Sequence, residues 1–280
     1  MCIVAIAWQL FDELPLVLLS NRDEFLQRPT ESLHQWLDKP IFAGRDKQSG
    51  GTWLGIHQEQ HADFYEQNGR WAAVLNFRDG VQASNDERSR GALVADFLTS
   101  TMSPMDFARQ ISLQDYAGFN LIIGDAVQAV IVNNRGHAPT PLYAGLYVLF
   151  NGQPEEGWFK TERLRGRLRQ EVLPLIGENS EHEYWQEAAF AVMSDNTLAT
   201  VDNLPNTGID LKIEQALSSI YIDGANLTGT NSTGTNSTAL PIYGTRTQSI
   251  LTLRRQENAA DKKIQAEIIS RECNHSTKPE

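Results

Sequence analysis

Two short apolar runs open the chain, residues 2–8 and 14–20, both rich in Val, Ile and Leu and separated by Phe11-Asp12-Glu13. Runs of this length and composition predict a β-hairpin, so the chain begins inside a sheet. Gly51-Thr52-Trp53-Leu54-Gly55-Ile56 and Trp71–Phe77 predict two further strands across a polar connection. Phe119–Ile123 and Ala129–Val132 predict a hairpin turned near Gly124-Asp125, and Leu146–Phe150 extends the strand pattern. Ile242–Leu253 and Ile264–Ile269 predict a closing pair around the polar turn Gln256–Lys263.

Helices are fewer but better marked. Ser103-Pro104 sets a cap and a first-turn proline before Met105–Ile111, and Ser180 with Glu183 forms a capping box before Tyr184–Met193. Leu93, Val94, Phe97 and Leu98 have helical spacing, as do Leu164, Leu168 and Val172 in an Arg-rich segment. Two strand groups with helices between them predict an α+β fold. Nothing in the layout demands a second core, so one domain over residues 1–280 is expected. Residues 224–240, with Gly-Thr-Asn-Ser-Thr occurring twice, have too few apolar side chains to offset ordering entropy and predict a flexible surface loop.

Composition narrows the function classes. Hydrophobic residues make up 41% and charged residues 21% of the 280, which fits a folded globular protein and not a disordered or fibrous one. With 24 Lys+Arg against 35 Asp+Glu the net charge is -11, an acidic balance that argues against nucleic acid as a partner. The run Leu14–Leu19, interrupted by Pro15, is far below the roughly 20 residues of a membrane helix. The apolar opening lacks a basic n-region, so no secretory signal is read and a cytoplasmic address is expected. Two cysteines, Cys2 and Cys273, exclude a disulfide framework and a four-thiolate zinc site. His57-Gln-Glu-Gln-His61 with Asp63 and Glu66 sits between two predicted strands and reads as a solvated loop, so no metal is expected there.

Cys2 is the residue with most chemical potential. Removal of Met1 leaves cysteine as the terminus, carrying a thiol nucleophile and an α-amine of ordinary pKa about 7.7–8.0, close to what a general base needs at neutral pH. The plain alternative is a structural cysteine in a first strand. Ser20-Asn21-Arg22-Asp23-Glu24-Phe25 follows the second strand and returns polar side chains beside Cys2 if the two strands pair antiparallel. There Arg22 would favour a thiolate and Asp23 an ammonium, or the two would simply form an ion pair in a turn. Asn76, Asn120 and Asn151 stand near strand ends, where an amide donates to an oxyanion or merely shapes a turn. Arg246, in Tyr243-Gly244-Thr245-Arg246-Thr247, is placed to clamp a carboxylate or to lie exposed on an edge strand.

Met1-Cys2, Ser20–Phe25 with Arg28-Pro29, Gly50–Gly55, Arg90-Gly91, Gly118–Leu121, Asn133–Gly136 and Tyr243–Thr247 together resemble the NRDE family, also called the transport and Golgi organisation 2 family. The motifs run in order over nearly the whole chain. The resemblance implies a four-layer αββα sandwich of the N-terminal nucleophile hydrolase type, with antiparallel sheets. A weaker likeness extends to bile salt hydrolases and penicillin V acylases, which cleave amide bonds of small molecules. It implies Cys2 as nucleophile, Arg22 and Asp23 beside it at closer spacing than usual, Asn76 as oxyanion donor, Asn151 as second site asparagine and Arg246 as the late arginine. Hydrolysis of a non-peptide amide or acyl bond needs no cofactor. The rival reading is a non-catalytic carrier of haem, acyl-CoA or lipid using the same pocket, although none of the six histidines stands in an axial-ligand motif. Phe150, where the family usually has serine, is expected to reshape the pocket, and the 224–240 loop is an insertion that either covers the site or is inert.

Overall fold

In the computed structural model, residues 2–59, 69–81, 84, 86–178, 182–224, 242–255 and 264–275 are described. Twelve strands form there: β1 (Cys2–Trp8), β2 (Leu16–Phe25), β3 (Thr30–Gln35), β4 (Ile41–Asp46), β5 (Leu54–His57), β6 (Trp71–Asn76), β7 (Phe119–Gly124), β8 (Ala129–Asn133), β9 (Thr140–Pro141), β10 (Gly145–Leu149), β11 (Tyr243–Arg255) and β12 (Ile264–Glu272). The helices are α1 (Arg90–Thr99), α2 (Pro104–Gln110), α3 (Phe159–Arg167), α4 (Leu173–Gly177), α5 (His182–Met193) and α6 (Leu211–Ala216). One sheet runs β10-β1-β2-β11-β12 and the other β3-β4-β5-β6-β7-β8-β9, with every ladder antiparallel.

The continuous apolar run of β1 follows from burial on both faces. Cys2, Val4, Ile6 and Trp8 point toward the second sheet and join a core with Leu54, Ile56, Trp71 and Leu75. Ile3, Ala5 and Ala7 point the other way, onto Leu164, Leu168, Trp185 and Phe190 of the helical layer. The outer face of the second sheet is covered by Leu93, Val94, Phe97 and Leu98 of α1, with Ala108 of α2. Three apolar layers between four layers of secondary structure make the αββα sandwich that the motifs implied. The Trp8 and Trp71 rings meet across the two sheets at 6.2 Å, an ordinary tilted aromatic contact.

Sequence and structure differ in several places: β2 runs on to Phe25, so Ser20–Phe25 lies within the strand instead of following it, and the short β9 and α6 carried no predicted run. β3 and β4 were not predicted, because Thr-Glu-Ser-Leu-His-Gln is an edge strand only half-buried and carries no apolar run. The strand expected at residues 51–56 starts only at Leu54, since Gly51 is pressed against α1: a Cβ there would lie 2.5 Å from the Gly91 carbonyl carbon. The strand expected at Leu146–Phe150 forms as β10 and pairs with β1, a partner the sequence did not name. The predicted helix after Ser103-Pro104 forms as α2, with the Ser103 hydroxyl accepting from the Asp106 N–H at 3.1 Å. The Ser180 cap, residues 225–240 of the low-complexity loop, and His61, Asp63 and Glu66 lie outside the described residues.

Candidate active site

The β1–β2 register pairs Cys2 with Arg22, because the hairpin aligns Trp8 with Leu16 and counts back residue for residue. The period of two then divides the polar segment between faces. Arg22 shares the side of Cys2 and lies flat over the Trp53 ring at 4.2 Å, while Nη1 donates to the Thr30 hydroxyl at 3.3 Å. Asn21 faces the helices, where Nδ2 donates to the Met193 and Ile220 carbonyls at 2.8 Å each. Asp23, at the end of the pairing, accepts from the Thr245 hydroxyl at 2.6 Å and holds its backbone N–H to the Cys2 sulfur.

Cys2, Arg22, Asp23 and Asn76 line one cleft of about 520 Å³, within the size range of small-molecule sites. Its other walls include Glu24, Arg28, Asp46, Trp53, Arg88 and Arg90. The Cys2 residue lines the cleft yet retains only 8% exposure. Burial raises the thiol pKa above its ordinary value, with the Asp23 charge adding to the rise, and outweighs the opposing pulls of the amino terminus, the Asp23 N–H and, least of these, Arg22. The nucleophile therefore rests as a thiol at neutral pH and needs a base beside it.

Asn151 and Arg246 stand apart from the cleft walls. Asn151 is fully buried and donates to the Asn76 carbonyl at 2.8 Å, while its own carbonyl accepts from the Arg78 N–H at 2.7 Å. It fixes the β6 end from which the Asn76 side chain projects. Asn120 donates to the Phe150 and Gly152 carbonyls at 2.9 and 2.8 Å, tying the same segment from the other side. Arg246 donates to the Arg28 carbonyl and to the Thr30 hydroxyl at 3.2 Å, binding the turn that follows β2. Phe150 does not reshape the cleft as expected: its ring is buried in the helical core, 4.5 Å from Trp158. β10 directs that position away from Cys2.

Several site groups were not identified by role from the sequence. Arg28 and Arg90 stood in the quoted motifs, yet only the fold turns them toward one cavity. Lys160, in α3, gave no sequence signal. It is fully buried, and burial lowers its pKa to about 8 with the Arg78 charge adding to the effect. Asp23 is its nearby counter-charge: burial raises that carboxyl to about 6, against the opposing influence of Lys160 and the Thr245 hydrogen bond.

A folded-state pKa raised for an acid means that the native protein holds the Asp23 proton to higher pH than the unfolded chain does. This contribution favours the native state below 3.8 and fades as pH rises through about 6. Asp23→Asn is therefore expected to gain stability relative to the wild type as pH rises across that window, read as the difference in urea midpoints. A constant difference at all pH values would contradict the burial of this carboxyl.

Among the described residues, no group of three or more His, Cys, Asp and Glu side chains is arranged to hold a metal. No helix there is long and apolar enough to cross a membrane. His57 is bonded to the Leu98 carbonyl at 2.8 Å and His275 to the Thr245 carbonyl at 2.7 Å, and no histidine lines the cleft among the described residues.

Comparison with known proteins places these features in a family. A family model described as Transport and Golgi organisation 2 matches residues 1–261. The Bos taurus Transport and Golgi organization protein 2 homolog is 35% identical over 157 residues, 52% of this chain and 53% of that protein. The Homo sapiens homolog is 34% identical with the same coverage. The matched region thus spans about half the length of these relatives. An uncharacterized protein of Saccharomyces cerevisiae is 25% identical over 289 aligned positions, covering 91% of this chain and 88% of its own. Among solved structures, the Caenorhabditis elegans N-acylethanolamine-hydrolyzing acid amidase ortholog superposes with a TM-score of 0.47 at 11% identity, covering 69% of this chain and 86% of that one. The match over residues 1–261 takes in every motif from Cys2 to Arg246, and the chain belongs to the Transport and Golgi organisation 2 family.

Proposed function

We propose that this protein is a cysteine hydrolase of the N-terminal nucleophile type, acting on a non-peptide amide or related acyl bond of a small molecule. The observation that carries the reading is the meeting of Cys2, Arg22, Asp23 and Asn76 at one cleft. With Met1 removed, the α-amine of Cys2 takes the thiol proton as sulfur attacks the substrate carbonyl carbon. The carbonyl electron pair moves onto oxygen, and the Asn76 amide with a backbone N–H stabilises that charge. Collapse of the intermediate breaks the C–N bond, and the Cys2 ammonium protonates the departing amine. Water then adds to the thioester and releases the acid and the thiol. Arg22 steadies the developing thiolate and Asp23 the ammonium. Asn151 holds the Asn76 backbone, and Arg246 holds the turn carrying Arg28.

The experiment begins with intact mass, which establishes that residue 2 is the terminus of the purified protein. N-decanoyl-p-nitroanilide is then supplied and the reaction quenched in acid. The expected result is nitroaniline release and a decanoyl thioester on the Cys2 peptide. Release without an adduct on that peptide, or no release from processed protein across a panel of acyl amides, overturns the reading.

A carrier of haem, acyl-CoA or lipid is the second reading, favoured by one observation: two of the cleft arginines, Arg22 and Arg90, have no carboxylate within salt-bridge distance among the described residues. Saturable binding of acyl-CoA or haem, unchanged in Cys2→Ala and accompanied by no thioester, supports the carrier. With no histidine at the cleft among the described residues, haem held there would depend on arginine–propionate pairs.

A further inference from the structure

The cleft is lined by four arginines, Arg22, Arg28, Arg88 and Arg90, and four carboxylates, Asp23, Glu24, Asp46 and Glu87, but they are not paired one to one. Arg28 Nε donates to Asp46 at 2.7 Å and lies 3.7 Å from Glu24. Asp46 also accepts from the Gln48 N–H at 2.9 Å, and Glu24 accepts from the Phe25 N–H at 2.8 Å. Glu87 accepts from the Ser84 N–H at 2.7 Å. Arg88 pairs with Asp96 at 3.3 Å outside the cleft and covers the Tyr116 ring at 5.0 Å. Arg22 is held on Trp53.

Arg90 remains. Its Nη1 donates to the Gly118 carbonyl at 3.2 Å, and among the described residues no carboxylate stands within salt-bridge distance of it. It is half-buried in the cleft wall, and burial lowers its pKa below the ordinary arginine value, with Glu24 and Glu87 acting only through space. A guanidinium withdrawn from water without a carboxylate partner is costly unless a ligand anion supplies the missing charge. The surrounding backbone has the same preference. Ser89, Arg90 and Gly91 all line the cleft, the first turn of α1 carries no acidic residue, and the Ser89 side chain makes no capping bond. Arg90 cannot withdraw easily either, because Gly51 and Gly91 press this turn against the segment before β5.

We infer that Arg90 is the specificity residue of the cleft, reading an anionic head group on the small molecule whose acyl bond meets Cys2. This rests on the hydrolase reading and names its substrate class: an acyl amide bearing one carboxylate or phosphate within reach of the scissile bond. Guanidinium pairs with either oxyanion in the same forked geometry.

The test uses the full chain with Cys2→Ala, so that binding is measured without turnover. Three probes share one acyl chain: N-decanoylglycine, N-decanoylglycinamide and the O-phosphate of N-decanoylethanolamine. Calorimetric titration is expected to show at least one anionic probe binding about 10-fold or more tighter than the neutral amide, a preference that shrinks with added salt. Adding Arg90→Gln should remove that preference and leave the neutral probe unchanged, while Arg90→Lys should restore part of it. The tighter of the two acids tells carboxylate from phosphate. Equal binding of charged and neutral probes, equal weakening of all three by Arg90→Gln, or no saturable binding of either acid overturns the inference. Charge-selective binding without turnover by the Cys2 protein would remove the hydrolase and leave Arg90 in place. Turnover with no charge preference would do the reverse.

Discussion

Turnover is expected to vanish in Cys2→Ala and to fall about 100- to 1000-fold in Asn76→Ala, with both proteins folded. The alanine at position 2 removes the only sulfur at the cleft among its lining residues while keeping a strand residue in β1. Asn76 is half-buried at the end of β6, where its backbone is held by the Asn151 amide and by the ladder to β7. Those bonds survive the substitution, so the loss is confined to the side-chain amide at the cleft. Its effect should appear in kcat, because an oxyanion donor acts mainly in the transition state. Asn151→Ala is a useful contrast: it removes the bond to the Asn76 carbonyl and should lower the melting temperature as well as the rate. Full activity in Asn76→Ala would remove it from the oxyanion site.

The largest stability loss is expected from breaking the Arg78–Glu214 pair behind the cleft. The two charges meet at 2.9 Å with side chains 8% and 2% exposed. Arg78 also covers the Trp158 ring at 4.6 Å, and Glu214 accepts from the Thr207 N–H at 3.2 Å. Glu214→Ala removes the carboxylate facing a guanidinium that is only 8% exposed, and breaking such a buried pair typically costs about 3–5 kcal/mol. The double replacement Arg78→Met with Glu214→Leu should recover much of that, since the desolvation cost of both charges disappears with them. Urea denaturation of the two variants measures the difference. A Glu214→Ala loss below about 1 kcal/mol would place this pair in effective contact with solvent. Because the Arg78 N–H bonds to the Asn151 carbonyl, part of the loss should also be felt as a looser Asn76.

Cys2 and the Arg22-Asp23 pair were legible because their relation is local. A hairpin between two adjacent apolar runs has few registers that keep both faces buried, and the one observed sets Cys2 opposite Arg22. The role of Arg246 was not legible, for its side chain crosses to the turn after β2 and satisfies carbonyls there. Asn151 could be placed near the site but not assigned to the backbone of Asn76, because that depends on β10 leaving its sequence neighbours to pair with β1. Lys160 was invisible: a lysine in an Arg-rich helical segment reads as solvated until α3 is packed onto the sheet.

The sequence by itself determined the α+β class from its strand and helix runs, and the ordered motifs determined the family and, through that resemblance, the layered sandwich. It also determined that a thiol and a guanidinium would be neighbours. Which arginines are left without a carboxylate, which lysine is buried, and that burial raises the Cys2 thiol were decided only by tertiary structure. Charge compensation and desolvation depend on what surrounds a group in three dimensions, and residues from β2, α1 and α3 far apart in the chain supply those surroundings.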